Sequence, residues 1–168
     1  MYSIQFLFRV AKAVCVASIA LMALLIVFGN ITDYLTNYHF VEHVMKMDTI
    51  FPGSNVHYRN INSTFIFHAG YLLIISLESL MAFCCTKGTW LMIKHLSANA
   101  TTFHASKNWA VAGITIGIVI WFLGFEVVGG EWFSMWQSST WNGLSSAERI
   151  SGFLMLALLL LHLHEQDL

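Results

Sequence analysis

Charged residues are scarce in this chain. Asp, Glu, Lys and Arg make up 10% of its 168 residues, whereas soluble domains carry about 25%. Eight basic residues against nine acidic ones give a formal net charge of -1. Because no basic surplus exists to neutralise phosphates, nucleic acid is not expected among the partners.

Cysteine, proline and the common catalytic motifs are also in short supply. Three cysteines are an odd number, and Cys84 and Cys85 are adjacent in an apolar run, so we expect free thiols rather than a disulfide framework. The sequence contains one proline and no glycine-rich phosphate loop, nucleophile elbow or C-x-x-C pair. These absences argue against the enzyme classes that depend on such motifs.

What the chain has instead is long apolar runs, because 57% of its residues are hydrophobic. A helix needs about 20 apolar residues to cross the ~30 Å hydrocarbon core of a bilayer. Four stretches meet that need, at about residues 6–29, 65–86, 109–128 and 146–163. The fourth depends on an early helix start, which the capping-box pattern of Ser145 and Glu148 would provide. We predict an all-α polytopic membrane protein, with residues 1–168 forming one up-down bundle of four transmembrane helices.

The connecting segments predict how the bundle is oriented. Five of the eight basic residues lie on the side of the two termini: Arg9, Lys12, Lys87, Lys94 and Lys107. The other side has three, and these are diluted by acidic residues. Since Lys and Arg are enriched in cytoplasmic segments, both termini and loop 87–108 are expected in the cytoplasm, with outer loops 30–62 and 129–145 on the opposite side.

Both outer loops are unusually apolar for connecting segments. In loop 30–62, four apolar residues fall at helical spacing and predict a short interfacial helix: Phe40, Val41, Val44 and Met45. Loop 129–145 contains Trp132, Trp136 and Trp141, half of all the tryptophans. Indole rings favour the water–lipid interface, so we expect an outer aromatic cap. A surface for a ligand or a partner is the alternative.

Glu78 is the most informative polar residue, because it lies inside the second apolar stretch. A carboxylate at that depth is costly unless it is paired or protonated, so it should face protein or water. A helical wheel places His68, Tyr71 and Ser79 on the same face as Glu78. This polar stripe is predicted to point into the bundle, where Lys12 at comparable depth would form an ion pair with Glu78. The stripe serves either as a polar lock between helices or in proton- or ion-coupled transport.

The third apolar stretch carries small residues along one face, namely Ala110, Gly113, Gly117 and Gly124. Glycine allows two helix backbones to approach closely, and Gly113-x-x-x-Gly117 is the motif associated with such packing. We therefore predict a helix-packing face.

The eight histidines raise the question of a metal or haem. His39 and His43 match the H-x-x-E-H pattern of one zinc-peptidase class, but no further acidic ligand can be assigned. Haem would need two axial ligands at one depth, whereas His68 is near the outer surface and His162 and His164 are near the inner one. No metal and no other cofactor is expected.

Two long strings carry a family resemblance. They are FGNITDYLTNYHFVEHVMKMDTIFPGS after the first helix and WFLGFEVVGGEWFSMWQSSTWNG after the third. With the Glu78 segment between them, they resemble an uncharacterised bacterial family of predicted small integral membrane proteins, domain of unknown function 2165. The resemblance implies a four-helix protein of the bacterial inner membrane, and it implies no activity, substrate or cofactor.

Three function classes follow from these observations. We favour a non-catalytic accessory or interaction subunit of a larger membrane complex, which fits the small size and the tryptophan-rich outer loop. The alternative is a small transporter or channel, self-associated into an oligomer, that uses the Glu78 stripe. A membrane enzyme or redox carrier is the third class, and it would need a bound metal or haem. Besides the lipid bilayer, the expected partner is therefore a larger complex or a second copy of the chain.

Overall fold

The computed structural model describes residues 3–165 and 167. It consists of helices, four of which are long and apolar and run antiparallel to their neighbours. The helices are α1 (Ile4–Thr32), α2 (Tyr34–Lys46), α3 (Thr64–Lys94), α4 (Ala100–Ser106), α5 (Asn108–Ile118), a π-helix (Val119–Trp132) that continues α5, and α6 (Leu144–His162). Short 3-10 turns lie at His57–Arg59 and Met135–Gln137. The described residues contain no strand. The all-helical fold class is thus confirmed.

Four helical units are long and apolar enough to span a membrane. They are α1, α3, the continuous run Ala100–Trp132, and α6. Within their most apolar windows only 28% to 33% of residues are buried inside the protein, so most apolar side chains face outward. Such a surface suits hydrocarbon rather than water.

Helices α1 and α3 are longer than the apolar runs that predict them. With 29 and 31 residues, they are ~43 Å and ~46 Å long at 1.5 Å per residue. At its start, α1 is capped by Ser3, whose Oγ accepts a hydrogen bond from Phe6 N at 3.2 Å. At its far end, α3 continues to Lys94, eight residues beyond the predicted boundary.

The start of α6 differs from the capping-box expectation. Its N-cap is Gly143, which supplies no side-chain hydrogen bond. Instead, Asn142 Oδ1 accepts from Leu144 N at 3.1 Å. The helix begins at Leu144, before Ser145 is reached, so Ser145 and Glu148 are both inside the helix rather than at its cap.

Small residues bring α3 and α5 into close contact. A Cβ added at Gly88 would lie 2.5 Å from Ala110 N, and one added at Gly113 would lie 2.5 Å from Cys85 Sγ. At Gly117 an added Cβ would meet Met81 and a leucine of α6 within 3.0 Å. At Gly88 and Gly113 the neighbouring backbone is too close for a side chain, whereas at Gly117 only the flexible ends of neighbouring side chains would have to move.

The two long loops pack together at the end of the bundle opposite the termini, which we call the loop end. Thr49 Oγ1 lies 2.7 Å from Ser138 Oγ, and Phe51 N donates to Gln137 Oε1 at 3.2 Å. Met47 is fully buried between the loops and adopts a left-handed conformation with φ 54° at the end of α2. These contacts hold α2 across the end of α1 and α3.

Candidate functional site

Glu78 lies on the buried face of α3, with 4% of its surface exposed. Asn30, in the last turn of α1, donates from Nδ2 to Glu78 Oε2 at 2.6 Å. Its own Oδ1 accepts from Asn37 Nδ2 of α2 at 2.7 Å, and its main-chain oxygen accepts from Tyr71 Oη at 3.2 Å. Three helices thus contribute to one polar network, which we call the Glu78 site.

A tight corner between α1 and α2 builds this network. Asp33 has the non-helical angles φ -123° and ψ 57°, and its N–H donates to Gly29 O at 2.8 Å. Thr36 Oγ1 donates to Asp33 Oδ1 at 2.9 Å in the first turn of α2. Because α2 turns back immediately, Asn37 is carried to Asn30 across the corner.

A cavity of about 420 Å³ lies beside Glu78. Its polar lining includes Asn30, Asn37 and Tyr71, whereas Trp121 and Phe125 belong to its apolar walls. A few polar groups among aromatic walls, in a volume of 300–1,000 Å³, are typical of small-molecule sites. No hydrogen bond from the described residues reaches the second carboxylate oxygen of Glu78, Oε1.

Electrostatically, the Glu78 site lacks a built-in positive charge. None of the ion pairs among residues 3–165 and 167 includes Glu78. The amide of Asn30 is a neutral donor and compensates only part of the cost of a buried carboxylate. A proton or a cationic group entering the cavity would therefore be stabilised by Glu78.

The expected ion pair between Lys12 and Glu78 is not formed. Lys12 Nζ instead donates to Glu165 Oε1 at 2.5 Å and to Leu163 O at 2.9 Å. The reason is the length of α3, since Glu78 lies 16 residues or ~24 Å from its end at Lys94. Because Arg9, near the start of α1, contacts Leu96 O just past that end, Glu78 lies beside the last turn of α1, where Asn30 binds it, rather than beside the first turn.

The other members of the predicted polar stripe have different surroundings. His68 is half-buried, with Nδ1 2.8 Å from Tyr34 Oη and its ring stacked on Tyr38 at 4.3 Å between centroids. Ser79 is exposed on the outside of the bundle, and its Oγ donates to Ile75 O at 2.8 Å. Only Tyr71 joins Glu78 at the cavity.

The predicted packing glycines differ in their helix contacts, and the predicted outer tryptophans differ in their exposure. Gly113 and Gly117 lie at helix contacts, whereas a Cβ added at Gly124 would have no atom of another helix within 4 Å. At the loop end, Trp132 and Trp136 are 52% and 50% exposed. Trp141 is half-buried and stacks on the ring of His43 at 4.5 Å.

A cluster of charged residues lies at the end of the bundle that holds the termini. Its central residue, Glu165, was not among the residues predicted from the sequence. Glu165 Oε1 accepts from Lys12 Nζ and from Lys107 Nζ at 2.9 Å, and Glu165 Oε2 is 3.9 Å from Arg9 Nε. All three basic side chains are buried. We call these four residues the basic cluster. It ties α1 and the start of α5 to the segment after α6.

Main-chain carbonyls complete the basic cluster. Arg9 Nη1 donates to Leu96 O at 3.0 Å and to Ala98 O at 2.5 Å, and Lys107 Nζ donates to Leu161 O at 2.7 Å. Burial alone would raise the pKa of Glu165, but hydrogen bonds from the two lysines outweigh it, so its pKa lies below the ordinary value. The carboxylate is thus held ionised at the centre of the cluster.

The polar side chains of the H-x-x-E-H segment each contact a neighbouring charged or polar side chain. His39 Nδ1 lies 3.0 Å from Glu42 Oε2, and His43 Nδ1 lies 2.8 Å from Asp48 Oδ2. Lys46 Nζ donates to Glu42 Oε1 at 2.5 Å, and this bond, followed by the one from His39, lowers the pKa of Glu42. Within the described part of the chain, no group of three His, Cys, Asp or Glu side chains is placed to hold a metal ion.

Comparison with known proteins identifies a family for this chain. A family model for a predicted small integral membrane protein, domain of unknown function 2165, matches residues 8–164. The matched region includes the whole Glu78 site and ends one residue before Glu165. No curated protein and no solved structure matches the chain.

Proposed function

We propose that this chain, which belongs to the family of predicted small integral membrane proteins, binds a small positively charged group in the cavity beside Glu78. The observation that supports this proposal is a buried carboxylate that lines a 420 Å³ cavity and has one neutral donor, Asn30. Binding of this kind is the step that a small transporter or channel would need.

The surroundings of Glu78 favour a cationic ligand over a neutral one. In a membrane-spanning segment the effective dielectric constant is low, so an incoming cation and the carboxylate attract each other strongly. The cation also removes the cost of leaving Glu78 unpaired. Tyr71, Trp121 and Phe125 line the same cavity, and aromatic rings attract ammonium groups.

Thermal unfolding of the detergent-solubilised protein with butylammonium chloride tests the proposal. A ligand that binds the folded state stabilises it by about 2.7 kcal/mol at 100 times its Kd, so Tm should rise with concentration. The rise should disappear in Glu78→Gln. If butylammonium leaves the Tm of the wild type unchanged, or raises it equally in Glu78→Gln, the proposal is wrong.

A matched control is available in the same chain. Glu126 also lies in a membrane-spanning segment, but its Oε1 accepts from Ser151 Oγ at 2.6 Å and it does not line the cavity. Glu126→Gln should therefore keep the full response to butylammonium, which separates the effect of the site from a general effect of removing a carboxylate.

A second candidate function is that of an accessory subunit of a larger membrane complex. It is favoured by exposed aromatic residues at the loop end, where Trp132, Trp136, Phe51 and Tyr58 are each at least half exposed. A stoichiometric partner that co-purifies in mild detergent with the wild type should then be lost from a Trp132→Ser, Trp136→Ser double variant. Trp90, which is 59% exposed at the opposite end, is the control position. Retention of the partner by the double variant would contradict this candidate.

For the cellular setting, we propose the bacterial inner membrane with both termini in the cytoplasm. The support is the excess of Lys and Arg on the side of the termini. A C-terminal green fluorescent protein fusion should fluoresce and a C-terminal alkaline phosphatase fusion should be inactive. The reverse pattern would overturn the orientation.

A further inference from the structure

A second cavity, of about 310 Å³, adjoins the first and is lined by apolar residues and glycines. It lies between α3 and the π-helix under the apolar face of α2, and its lining includes Val44, Gly70, Leu77, Gly124 and Val128. The gap exists because the close packing of α3 and α5 stops at Gly117. Seven residues later, an added Cβ at Gly124 would meet no atom closer than Val119 O at 3.6 Å.

A single layer of side chains separates the apolar cavity from the polar one. Phe40, Val41, Ile74 and Phe125 line both cavities. The rings of Phe40 and Phe125 stack in this layer, with centroids 6.2 Å apart. A molecule that extends from Glu78 into the apolar cavity therefore has to displace only this layer, which includes these two rings.

The apolar cavity faces the bilayer rather than water. At its rim Leu73, Val119 and Leu123 are 60%, 41% and 50% exposed, and all three lie in membrane-spanning segments. The surface around the opening is thus surrounded by hydrocarbon. An alkyl chain can enter from the bilayer without contact with water.

We infer that the ligand is a membrane amphiphile, with a cationic head at Glu78 and a hydrocarbon tail in the apolar cavity. This inference rests on the proposed function, and it adds the chemical class and the source of the ligand. The polar cavity supplies the negative charge for the head, and the apolar cavity supplies a surface without a charged or hydrogen-bonding side chain for the tail. The ligand comes from the bilayer, because that is where the apolar cavity opens.

Photolabelling in phosphatidylcholine vesicles tests where the tail lies. The probe is decylammonium with a diazirine at the end of its chain, and the neutral decanol analogue controls for simple dissolution in lipid. The cationic probe should label residues of the apolar cavity, such as Leu77 and Val128, which peptide mapping by mass spectrometry identifies. Labelling that is equally strong on lipid-facing residues of α6, such as Phe153, would overturn the inference.

Two glycine substitutions sharpen the test. Gly124→Leu places a side chain in the apolar cavity and should lower the labelling there by about tenfold, as expected when overpacking excludes the tail. Gly152 has no atom within 4 Å of an added Cβ and lies in α6, so Gly152→Leu should leave the labelling unchanged. Equal labelling in Gly124→Leu and the wild type would also overturn the inference.

The short and long probes together separate this inference from the proposed function. In one outcome, butylammonium stabilises the wild type and not Glu78→Gln, while the decylammonium probe labels only lipid-facing residues. The head site at Glu78 is then supported, and the tail site in the apolar cavity is wrong. If the probe labels the apolar cavity equally in Glu78→Gln, the head is not bound at Glu78 and the amphiphile inference is overturned. If butylammonium has no effect, the proposed function itself fails.

Discussion

Glu165→Gln removes the negative charge at the centre of the basic cluster and keeps the size of the side chain. In the wild type, two lysine amines lie 2.5 Å and 2.9 Å from one carboxylate oxygen, and both lysines are buried. Removing one partner of a buried ion pair costs about 3–5 kcal/mol, because the other charge stays buried. The glutamine oxygen still accepts one hydrogen bond, so we expect the lower end, about 3 kcal/mol. For a chain of this size that corresponds to a fall in Tm of roughly 6–12 °C.

The assay is thermal unfolding in a neutral detergent, followed by tryptophan fluorescence. Glu131, which is exposed at the loop end, provides the control variant Glu131→Gln, for which Tm should change little. A double-mutant cycle with Lys12→Gln should show coupling, because in the double variant no uncompensated lysine remains at that position. If Glu165→Gln unfolds within about 2 °C of the wild type, the basic cluster does not stabilise the fold as argued.

The same carboxylate predicts a pH dependence. Because the folded-state pKa of Glu165 lies below its ordinary value, the unfolded chain binds more protons in acid than the folded protein does. The stabilisation is therefore complete above the ordinary pKa of about 4.3 and is lost as pH falls through the lower folded-state value. The Tm difference between the wild type and Glu165→Gln should shrink over that acidic range. A difference that stays constant down to pH 2 would contradict the argument.

Two further substitutions test local packing and charge. Gly88→Ala should lower the free energy of unfolding by about 1–3 kcal/mol, because its Cβ would lie 2.5 Å from Ala110 N, whereas Gly152→Ala should be neutral in the same thermal unfolding assay. Lys46→Met should raise the pKa of Glu42 towards its ordinary value, because the hydrogen bond from Lys46 is the largest cause that lowers this pKa. An NMR titration of the Glu42 carboxyl carbon measures the change. An unchanged pKa would show that this hydrogen bond is not formed.

The membrane class and the number of crossings could be predicted from the length of the apolar runs alone. The helix ends could not, because polar residues inside a helix resemble a loop in sequence. Lys87 and Lys94 fall in the predicted loop 87–108, yet both lie in α3. Lys87 Nζ is 3.6 Å from the ring centroid of Trp109, and Lys94 Nζ is 5.3 Å from that of Trp90. Long basic side chains extend along aromatic surface while the helix continues, and no local pattern reports this.

Burial of Glu78 could be predicted because a carboxylate in hydrocarbon is costly. Its partner could not, since a partner depends on how far two antiparallel helices are shifted along each other. The predicted end of α3 lies eight residues before the observed one, and each residue moves a side chain by 1.5 Å along the axis. Lys12 and Asn30 are 18 residues, or ~27 Å, apart on α1, so this error of ~12 Å accounts for under half of the exchange, and the stagger between α1 and α3 accounts for the rest. The sequence feature that points to the observed partner of Glu78 is Asn30 itself, a polar amide directly after an apolar run.

Three of the basic residues that predict the orientation are also buried in the basic cluster, so their two roles need separating. While the protein inserts into the membrane, the Lys and Arg bias orients it before any tertiary contact exists. At that stage Arg9, Lys12 and Lys107 act through their number and through the connecting segments in which they lie. In the folded protein they act through distances to Glu165, a residue that contributes little to that bias. Glu165→Gln should therefore lower Tm and leave the fluorescence of a C-terminal fusion unchanged. Replacing all three basic residues with glutamine should alter both measurements, and an inverted fusion signal in Glu165→Gln would mean that the cluster itself determines the orientation.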